Sequence, residues 1–175
     1  MKENRIVHYL LALVTVIVTV IFDQWTKYLA VINLKDQEPF TIIENVFKLQ
    51  YLENRGAAFG LLQDQRLYFY FSMLLITVLV IWFYLRVPMT KKYLPLRICA
   101  IFILSGGLGN FIDRVRLNYV VDFFYFELID FPIFNVADIY VTVTMFILLY
   151  LIFFYYKGRR LAHACVAVSP HSARR

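Results

Sequence analysis

Long apolar runs alternate with shorter polar segments along this chain. Four runs stand out, covering Ile6–Phe22, Leu67–Leu85, Leu96–Phe111 and Ile139–Tyr156. A helix needs about 20 residues to cross the hydrocarbon of a bilayer, with roughly 17 as the lower limit. With a few flanking residues, each run reaches that length. The pattern predicts four membrane spans, at about residues 6–30, 67–85, 96–114 and 137–156.

The first apolar run also has the form of a secretory signal peptide, because the basic residues Lys2 and Arg5 precede it. Its apolar part is longer than the core of a usual signal peptide. It ends at Asp23-Gln24-Trp25, without the small residues of a cleavage site. We therefore predict a retained helix.

The outer segment between the first two spans, residues 31–66, has a different period. Phe47, Leu49 and Tyr51 lie at every second position, which is the period of a half-buried strand. Asn54-Arg55-Gly56 is a turn signal after it. Together with a second outer segment at 115–136, this predicts an all-α polytopic membrane protein with four transmembrane helices and a small extracytoplasmic β-sheet.

Composition supports a single membrane domain over residues 1–160. The chain is 61% hydrophobic, whereas soluble domains average about 45–50%. The character changes at Leu161–Arg175, which lacks aromatic residues. We interpret residues 161–175 as a disordered cytoplasmic tail or a cloning or frameshift remnant.

The distribution of charge predicts the orientation. Four spans place both termini on one side, together with the loop between spans two and three. That side carries most of the Lys and Arg residues and, among the acids, only Glu3. The positive-inside rule places both termini in the cytoplasm and the two outer segments outside. Basic residues at helix ends also account for the net charge of +6 without a nucleic-acid partner.

Two acids in the stretch Val120–Asp138 are the first candidates for chemistry. Asp122 and Asp138 lie at the edge of the last span, where an ionised carboxylate is costly and is a functional candidate by default. Helix capping is the alternative for part of this stretch. Asn135 is a suitable N-cap, and Asp138 then lies in the first turn of the helix.

Further polar residues lie near the outer ends of spans one and three. Asp23 and Lys27 are separated by one helical turn and can pair. Asn110, Asp113 and Arg114 share one face of span three with glycines. The alternatives are a lipid-facing anchor pair on span one, and a packing face with a surface ion pair on span three.

Elimination narrows the chemistry. His8 lies at the cytoplasmic start of span one, and His163 and His171 lie in the tail. No histidine is then available on the outer face for an HExxH metalloprotease or a Ser/His/Asp triad. Cys99 and Cys165 do not have the spacing of a zinc motif, and a disulfide between them is not expected because the cytoplasm keeps thiols reduced. Carboxylate, amide and guanidinium groups remain.

Two close carboxylates can share one proton and activate water, which is the chemistry of aspartic proteases. A calcium or magnesium site ranks lower, because these acids alternate with aromatic residues rather than with carbonyl-rich loops. Two other classes stay open. One is a proton- or cation-coupled carrier with the acids as ion ligands, and the other is a non-catalytic scaffold that binds a helix through Gly106–Gly109.

Five short motifs follow one another over about residues 20–140. They are Asp23-Gln-x-Thr-Lys27, Asn54-Arg-Gly-Ala-Ala-Phe59, Gly106-Gly-x-Gly-Asn-x-x-Asp-Arg114, Val120-Val-Asp-Phe123 and Phe131-Pro-Ile-Phe-Asn-Val-Ala-Asp138. In this order and spacing they resemble the prolipoprotein signal peptidase (signal peptidase II) family. One departure is Gly60, where the family pattern leads us to expect Ser or a similar small residue.

The resemblance implies roles for individual residues. Asp122 and Asp138 would be the catalytic pair of an aspartic endopeptidase that needs neither metal nor other cofactor. Residues that would shape the site or bind substrate are Asn54, Gly56, Asn110, Arg114 and Asn135; Asp23, Lys27 and Asp113 would be supporting polar residues.

The resemblance also implies a substrate and a location. The substrate would be a diacylglyceryl-modified prolipoprotein, cleaved just before its lipidated cysteine. The enzyme would be a monomer among the phospholipids of the bacterial cytoplasmic membrane, with an extracytoplasmic site. The aromatic residues Phe123, Phe124, Tyr125 and Phe126 would contact acyl chains or, equally well, anchor the protein at the membrane interface.

Overall fold

The computed structural model describes residues 5–56 and 66–156. The four expected spans are confirmed, because each helix is long and apolar enough to cross a membrane. Residues 57–65 and 157–175, which include Gly60 and the proposed tail, lie outside the described residues. The helices are α1 (Arg5–Leu34), α2 (Arg66–Arg86), α3 (Leu94–Leu117) and α4 (Val136–Tyr150), the last continued by a π-helical segment over Leu151–Tyr155.

Helix α3 lies at the centre of the bundle and packs against the other three helices. Its hydropathy is the lowest of the four spans, and its buried fraction is the highest. The other three helices expose many large apolar side chains on the outside of the bundle, where lipid would cover them. The weak hydropathy of span three therefore reflects a helix that faces protein rather than lipid.

Small residues of α3 allow close packing with its neighbours. A Cβ atom on Gly106 would lie 2.5 Å from the carbonyl oxygen of Ala137, so α4 approaches the α3 backbone directly. Ser105 is fully buried and accepts a hydrogen bond from the Thr19 hydroxyl of α1 at 2.8 Å. These contacts confirm the small-residue packing face expected from the sequence.

A three-stranded antiparallel sheet stands at one end of the bundle, with the order β1 (Phe40–Ile43), β2 (Phe47–Asn54) and β3 (Val120–Tyr125). The alternating pattern correctly predicted β2. It gave no signal for β1, whose four residues are all exposed, or for β3, whose first four residues are all buried. The β2–β3 pairing places Leu52 opposite Asp122 and Asn54 opposite Val120.

Helix α1 continues four residues beyond the expected end of span one at Ala30. The extension is stabilised by packing, because Val31 and Leu34 contact the apolar cluster that joins α1 to the sheet. The first outer segment therefore begins after Leu34. That cluster consists of Ala30, Val121, Phe123 and Val136.

Backbone hydrogen bonds tie the second outer segment to β3. The Phe134 carbonyl accepts from Phe123 N at 3.0 Å and from Phe124 N at 2.8 Å, and Phe134 N donates to the Phe124 carbonyl at 3.0 Å. The chain returns to β3 just before α4 begins. Asp122 and the start of α4 become neighbours as a result.

Candidate active site

Asp122 is a buried carboxylate on β3. Only 1% of the residue is exposed, and each of its oxygens accepts an amide hydrogen bond. Asn54 Nδ2, on the paired strand β2, lies 2.9 Å from Oδ2. Asn135 Nδ2 lies 2.6 Å from Oδ1. The sheet pairing and the N-terminus of α4 thus fix the two faces of this side chain.

Asp138 lies in the first turn of α4 and forms a capping box with Asn135. Asp138 N donates to Asn135 Oδ1 at 3.0 Å, and Asn135 N donates to Asp138 Oδ2 at 3.1 Å. The predicted N-cap is confirmed. Capping uses only one oxygen of Asp138, however, and the other accepts from Asn110 Nδ2 on α3 at 2.8 Å.

The two carboxylates are joined through two amides. Asn135 Nδ2, which donates to Asp122, also lies 3.0 Å from Asn110 Oδ1. Asn110 in turn donates to Asp138. Residues from β3, α3 and α4 therefore hold both acids in one hydrogen-bonded arrangement, which satisfied amides can make rigid and specific.

The environment of Asp122 raises its pKa to about 7. Burial is the main cause, because it disfavours the charged form, and the negative charge of Asp138 adds to it. Hydrogen bonds from Asn54 and Asn135 act in the opposite direction. A carboxyl group with a pKa near 7 holds a proton in a large fraction of molecules at neutral pH, so it can donate as well as accept.

Asp23, Lys27 and Asp113 form a buried ion cluster behind the two amides. Lys27 Nζ lies 2.9 Å from Asp23 Oδ2 and 3.0 Å from Asp113 Oδ2. The expected pair within α1 is confirmed. The alternative of a lipid-facing anchor is wrong, because Asp23 and Lys27 are 0% and 3% exposed. The alternative of a surface ion pair at Asp113 is also wrong, because Asp113 is buried and its partner Lys27 reaches it from inside the bundle.

Gln24 belongs to the same cluster, and sequence reasoning assigned it no role. Its Nε2 donates to Asp113 Oδ1 at 2.8 Å and to the Gly109 carbonyl at 3.1 Å. Gln24 follows Asp23 directly and therefore lies off the helix face that Asp23 shares with Lys27. The only available signal was its place within the first family-like motif.

Arg114 holds the chain that follows β2. Its Nη2 donates to the Gly56 carbonyl at 3.0 Å, and its guanidinium carbon lies 4.2 Å from the centre of the Phe69 ring. Gly56 N donates to Asn54 Oδ1 at 3.0 Å, which orients the amide that bonds Asp122. Asn54, Gly56 and Arg114, which the sequence grouped as site residues, thus meet at one wall.

A cavity of about 740 Å³ opens onto both acids. Its polar wall comes from β2, α3 and the acids themselves, and its other wall is apolar. Phe126 lines the cavity, whereas Phe123 is buried in the core and Phe124 stacks on Phe47. The aromatic run therefore divides between core and cavity. The apolar wall includes Phe126, Ile129, Phe131, Ile133, Ile139 and Val143.

Within residues 5–56 and 66–156, no three His, Cys, Asp or Glu side chains are grouped so that they could hold a metal ion. The acids of the site are bonded to amides and to Lys27 instead. His8, on α1, lies at the end of the bundle opposite to the sheet. Ser105 donates to the Ile101 carbonyl at 2.9 Å, which is a packing role.

Comparisons with known proteins agree on one family. The sequence profile of the family described as signal peptidase (SPase) II matches residues 15–154. A lipoprotein signal peptidase of Streptococcus thermophilus (strain CNRZ 1066) is 47% identical over 139 residues, covering 78% of this chain and 88% of that protein. One of Clostridioides difficile (strain 630) is 44% identical over 151 residues, covering 86% of this chain and all of that protein.

Solved structures give the same architecture. A bacterial membrane enzyme determined at 2.3 Å superposes with a TM-score of 0.74 at 28% identity, covering 86% of this chain and 92% of the other. A second, at 1.9 Å, gives a TM-score of 0.69 at 30% identity, covering 81% and 91%. Each superposition therefore covers more than four fifths of this chain.

Proposed function

This chain belongs to the signal peptidase II family, and we propose that it is a membrane aspartic endopeptidase in which Asp122 and Asp138 cleave the signal peptide from lipoprotein precursors. Family membership makes it a multi-pass membrane peptidase of lipoprotein processing. The aspartic mechanism and the individual residue roles are the proposed part. The observation that carries them is a pair of amide-linked carboxylates, a buried Asp122 and a half-buried Asp138, that open onto one cavity.

In the proposed mechanism, Asp138 is the base and Asp122 holds the shared proton. The N-terminus of α4 interacts favourably with a negative charge on Asp138. Burial supports a protonated Asp122 by raising its pKa to about 7. Asp138 removes a proton from water as the oxygen attacks the scissile carbonyl carbon, and Asp122 donates its proton to the carbonyl oxygen.

Collapse of the tetrahedral intermediate balances the protons. Asp138 gives its newly acquired proton to the departing amide nitrogen, and Asp122 recovers a proton from the gem-diol hydroxyl as the carbonyl re-forms. The C–N bond breaks, and both acids return to their starting states. Asn110, Asn135 and Asn54 keep the two carboxylates in place during this exchange, because each donates to one of them.

The proposed substrate is a diacylglyceryl-modified prolipoprotein, cut before its lipidated cysteine. The cavity supports this choice because it combines both requirements. Its polar wall carries the acids, together with Asn54 and Arg114, for a peptide backbone. Its apolar wall, with Ile133 and Val143, suits acyl chains that enter from the membrane.

The proposed orientation places the sheet and the cavity outside and both termini in the cytoplasm. The end of the bundle opposite to the sheet carries Arg86, Lys91, Lys92 and Arg97, as the positive-inside rule requires of a cytoplasmic loop. All proposed site residues come from one chain, which is consistent with a monomer. Phospholipid would cover the exposed apolar faces of α1, α2 and α4.

The test is cleavage of a lipidated precursor by purified Asp122→Asn and Asp138→Asn variants. Both substitutions keep the size of the side chain but remove the carboxylate, and we expect each to lower turnover by at least about 10³-fold. Asp130→Asn is the matched control, because Asp130 is an exposed acid of the same outer segment that bonds Tyr125. Normal turnover in either the Asp122→Asn or the Asp138→Asn variant would refute the proposal.

The same variants separate the two rival functions. A carrier would show proton flux into proteoliposomes that stops when Asp138 is neutralised, without precursor cleavage. A scaffold would retain its function in both Asp→Asn variants and lose it when a bulky residue replaces Gly107. A peptidase loses cleavage in both Asp→Asn variants and shows no such flux.

A further inference from the structure

The residue before each proposed catalytic acid is held by a second, buried acid. Val121 N donates to Asp113 Oδ2 at 3.2 Å, and Val121 directly precedes Asp122. Ala137 N donates to Asp23 Oδ1 at 2.9 Å, and Ala137 directly precedes Asp138. The two arms of the site therefore have the same construction, although one is a strand and the other a helix N-terminus.

One cation joins these two supporting acids. Lys27 Nζ lies 2.9 Å from Asp23 and 3.0 Å from Asp113, and it donates to Asn110 Oδ1 at 2.8 Å. An ammonium group has three donors, so all three are used. The side chain is 3% exposed, so among the described residues these three oxygens take the place of water around the ammonium group.

We propose that Lys27 is a positioning residue that sets the separation and relative orientation of the Asp122 and Asp138 carboxylates, an inference that rests on the proposed function. Lys27 touches neither catalytic acid. It acts through Asp113 on the β3 arm and through Asp23 on the α4 arm. A third path runs through Asn110, whose amide nitrogen donates to Asp138.

The third path also fixes which way the Asn110 amide points. Its oxygen accepts from both Lys27 Nζ and Asn135 Nδ2, at 2.8 and 3.0 Å. With the oxygen held on that side, the NH₂ group must face Asp138. Loss of the ammonium would remove one of the two donors that hold this orientation, so the bond to Asp138 would lose part of its support.

Charge balance explains why a lysine is needed here. Asp23 and Asp113 are buried at 0% and 3% exposure, and two buried carboxylates without a cation would repel each other. Lys27 pairs with both, and it brings α1 and α3 together at the level of Asp122 and Asp138. Its charge also lowers the pKa of Asp122, against the effects of burial and of Asp138. A displacement of about 1 Å in such a site costs about 10²-fold in rate.

The experiment compares purified wild type with Lys27→Met and Lys27→Arg on a lipidated precursor, with full pH profiles of folded protein. We expect Lys27→Met to lower kcat about 10²-fold with KM within about twofold. The alkaline limb of kcat/KM should move to higher pH, because Asp122 then faces Asp138 and Arg114 without the ammonium. Loss of stability alone would lower the folded fraction and leave that limb in place.

Lys27→Arg separates charge from geometry and covers the case in which Lys27→Met does not fold. A guanidinium keeps the charge, so the alkaline limb should stay where it is. It cannot place one nitrogen within about 3 Å of three converging oxygens, so kcat should fall at least about tenfold. Lys35→Met is the control, because Lys35 is a half-exposed lysine just after α1 that pairs with Glu53.

The inference would be overturned if folded Lys27→Met had the wild-type kcat and the alkaline limb of its pH profile did not move. If only Lys27→Arg folds, a wild-type kcat in that variant would overturn it. If either result is obtained while Asp122→Asn is inactive, the role of Lys27 is refuted and the proposed function stands. Cleavage by Asp122→Asn would instead refute the proposed function, so the two failures are distinguishable.

Discussion

A Cβ atom on Gly109 would lie 2.5 Å from Oδ2 of Asp23 and 3.0 Å from its Cγ. Helix α3 thus presents bare backbone to the acid that holds the start of α4. No side chain fits at this position unless Asp23 moves. Its Oδ1 carries the bond from Ala137 N, so a movement of Asp23 is transmitted to the residue beside Asp138.

Gly109→Ala is therefore expected to destabilise the protein by about 1–3 kcal/mol through overpacking and to lower cleavage at least about tenfold. Gly107→Ala is the matched control, two residues away on the same helix. Its Cβ would meet the thioether end of Met73, with Sδ at 2.9 Å, and a methionine side chain can adjust. Thermal unfolding in detergent and precursor cleavage measure both effects, and equal behaviour of the two variants would contradict this account.

The pH dependence of activity should report Asp122. Its pKa is raised to about 7, and the proposed mechanism needs it protonated. We expect kcat/KM to fall about tenfold per pH unit above about pH 7, with no such limb in a reaction that does not use Asp122. A profile that is flat between pH 7 and 9 would contradict the assignment of the proton to Asp122.

The same shift makes a prediction about stability, with a definite sign. A carboxyl whose pKa is higher in the folded state binds more protons when folded, so its contribution is fully present below its unfolded value of about 3.8 and is lost as pH rises through about 7. Asp122→Asn should remove this part of the pH dependence. Thermal unfolding of wild type and variant between pH 5 and 8 tests it, and parallel curves would argue against the shift.

Arg114→Lys should lower kcat/KM by about 10- to 100-fold, equivalent to about 1.4–2.8 kcal/mol. A lysine cannot both bond the Gly56 carbonyl and stack on Phe69, because its ammonium is a point charge on a flexible stem. Arg116→Lys, an exposed position on the same helix, is the control. Kinetics on a lipidated precursor provide the measurement, and an equal response of the two variants would rule out a special role for Arg114.

The features predicted best from the sequence depend on near neighbours in the chain. The spans follow from run length, the Asp23–Lys27 pair from one helical turn, and the Asn135 cap from the start of an apolar helix. The pair and the cap each involve residues within about four positions of each other, where spacing alone decides the geometry, and each span is one unbroken run. The position of Asp122 and Asp138 at the edge of the last span grouped them as candidates, and the family-like motifs implied their catalytic role.

The features that escaped prediction depend on long-range contacts. Strand β3 has the sequence of an apolar run broken by Asp122, and its pairing with β2 and its contacts with α1 and α3 make it a buried strand. The burial of Lys27 was equally inaccessible, because its partner Asp113 is 86 positions away on α3. Helical spacing places Lys27 on a face of α1 but does not say what that face meets.

The bonds between Phe124 and Phe134 close the base of the loop at residues 125–133. Asp122 and Asp138 lie on either side of this closure. Their spacing is therefore fixed by the Phe124–Phe134 backbone hydrogen bonds and by the N-cap of α4 rather than by the loop. The loop itself supplies Phe126, Ile129 and Phe131 to the apolar wall of the cavity. We therefore expect substitutions in this loop that spare Phe124 and Phe134 to change which precursors are accepted more than they change the chemistry at the two acids.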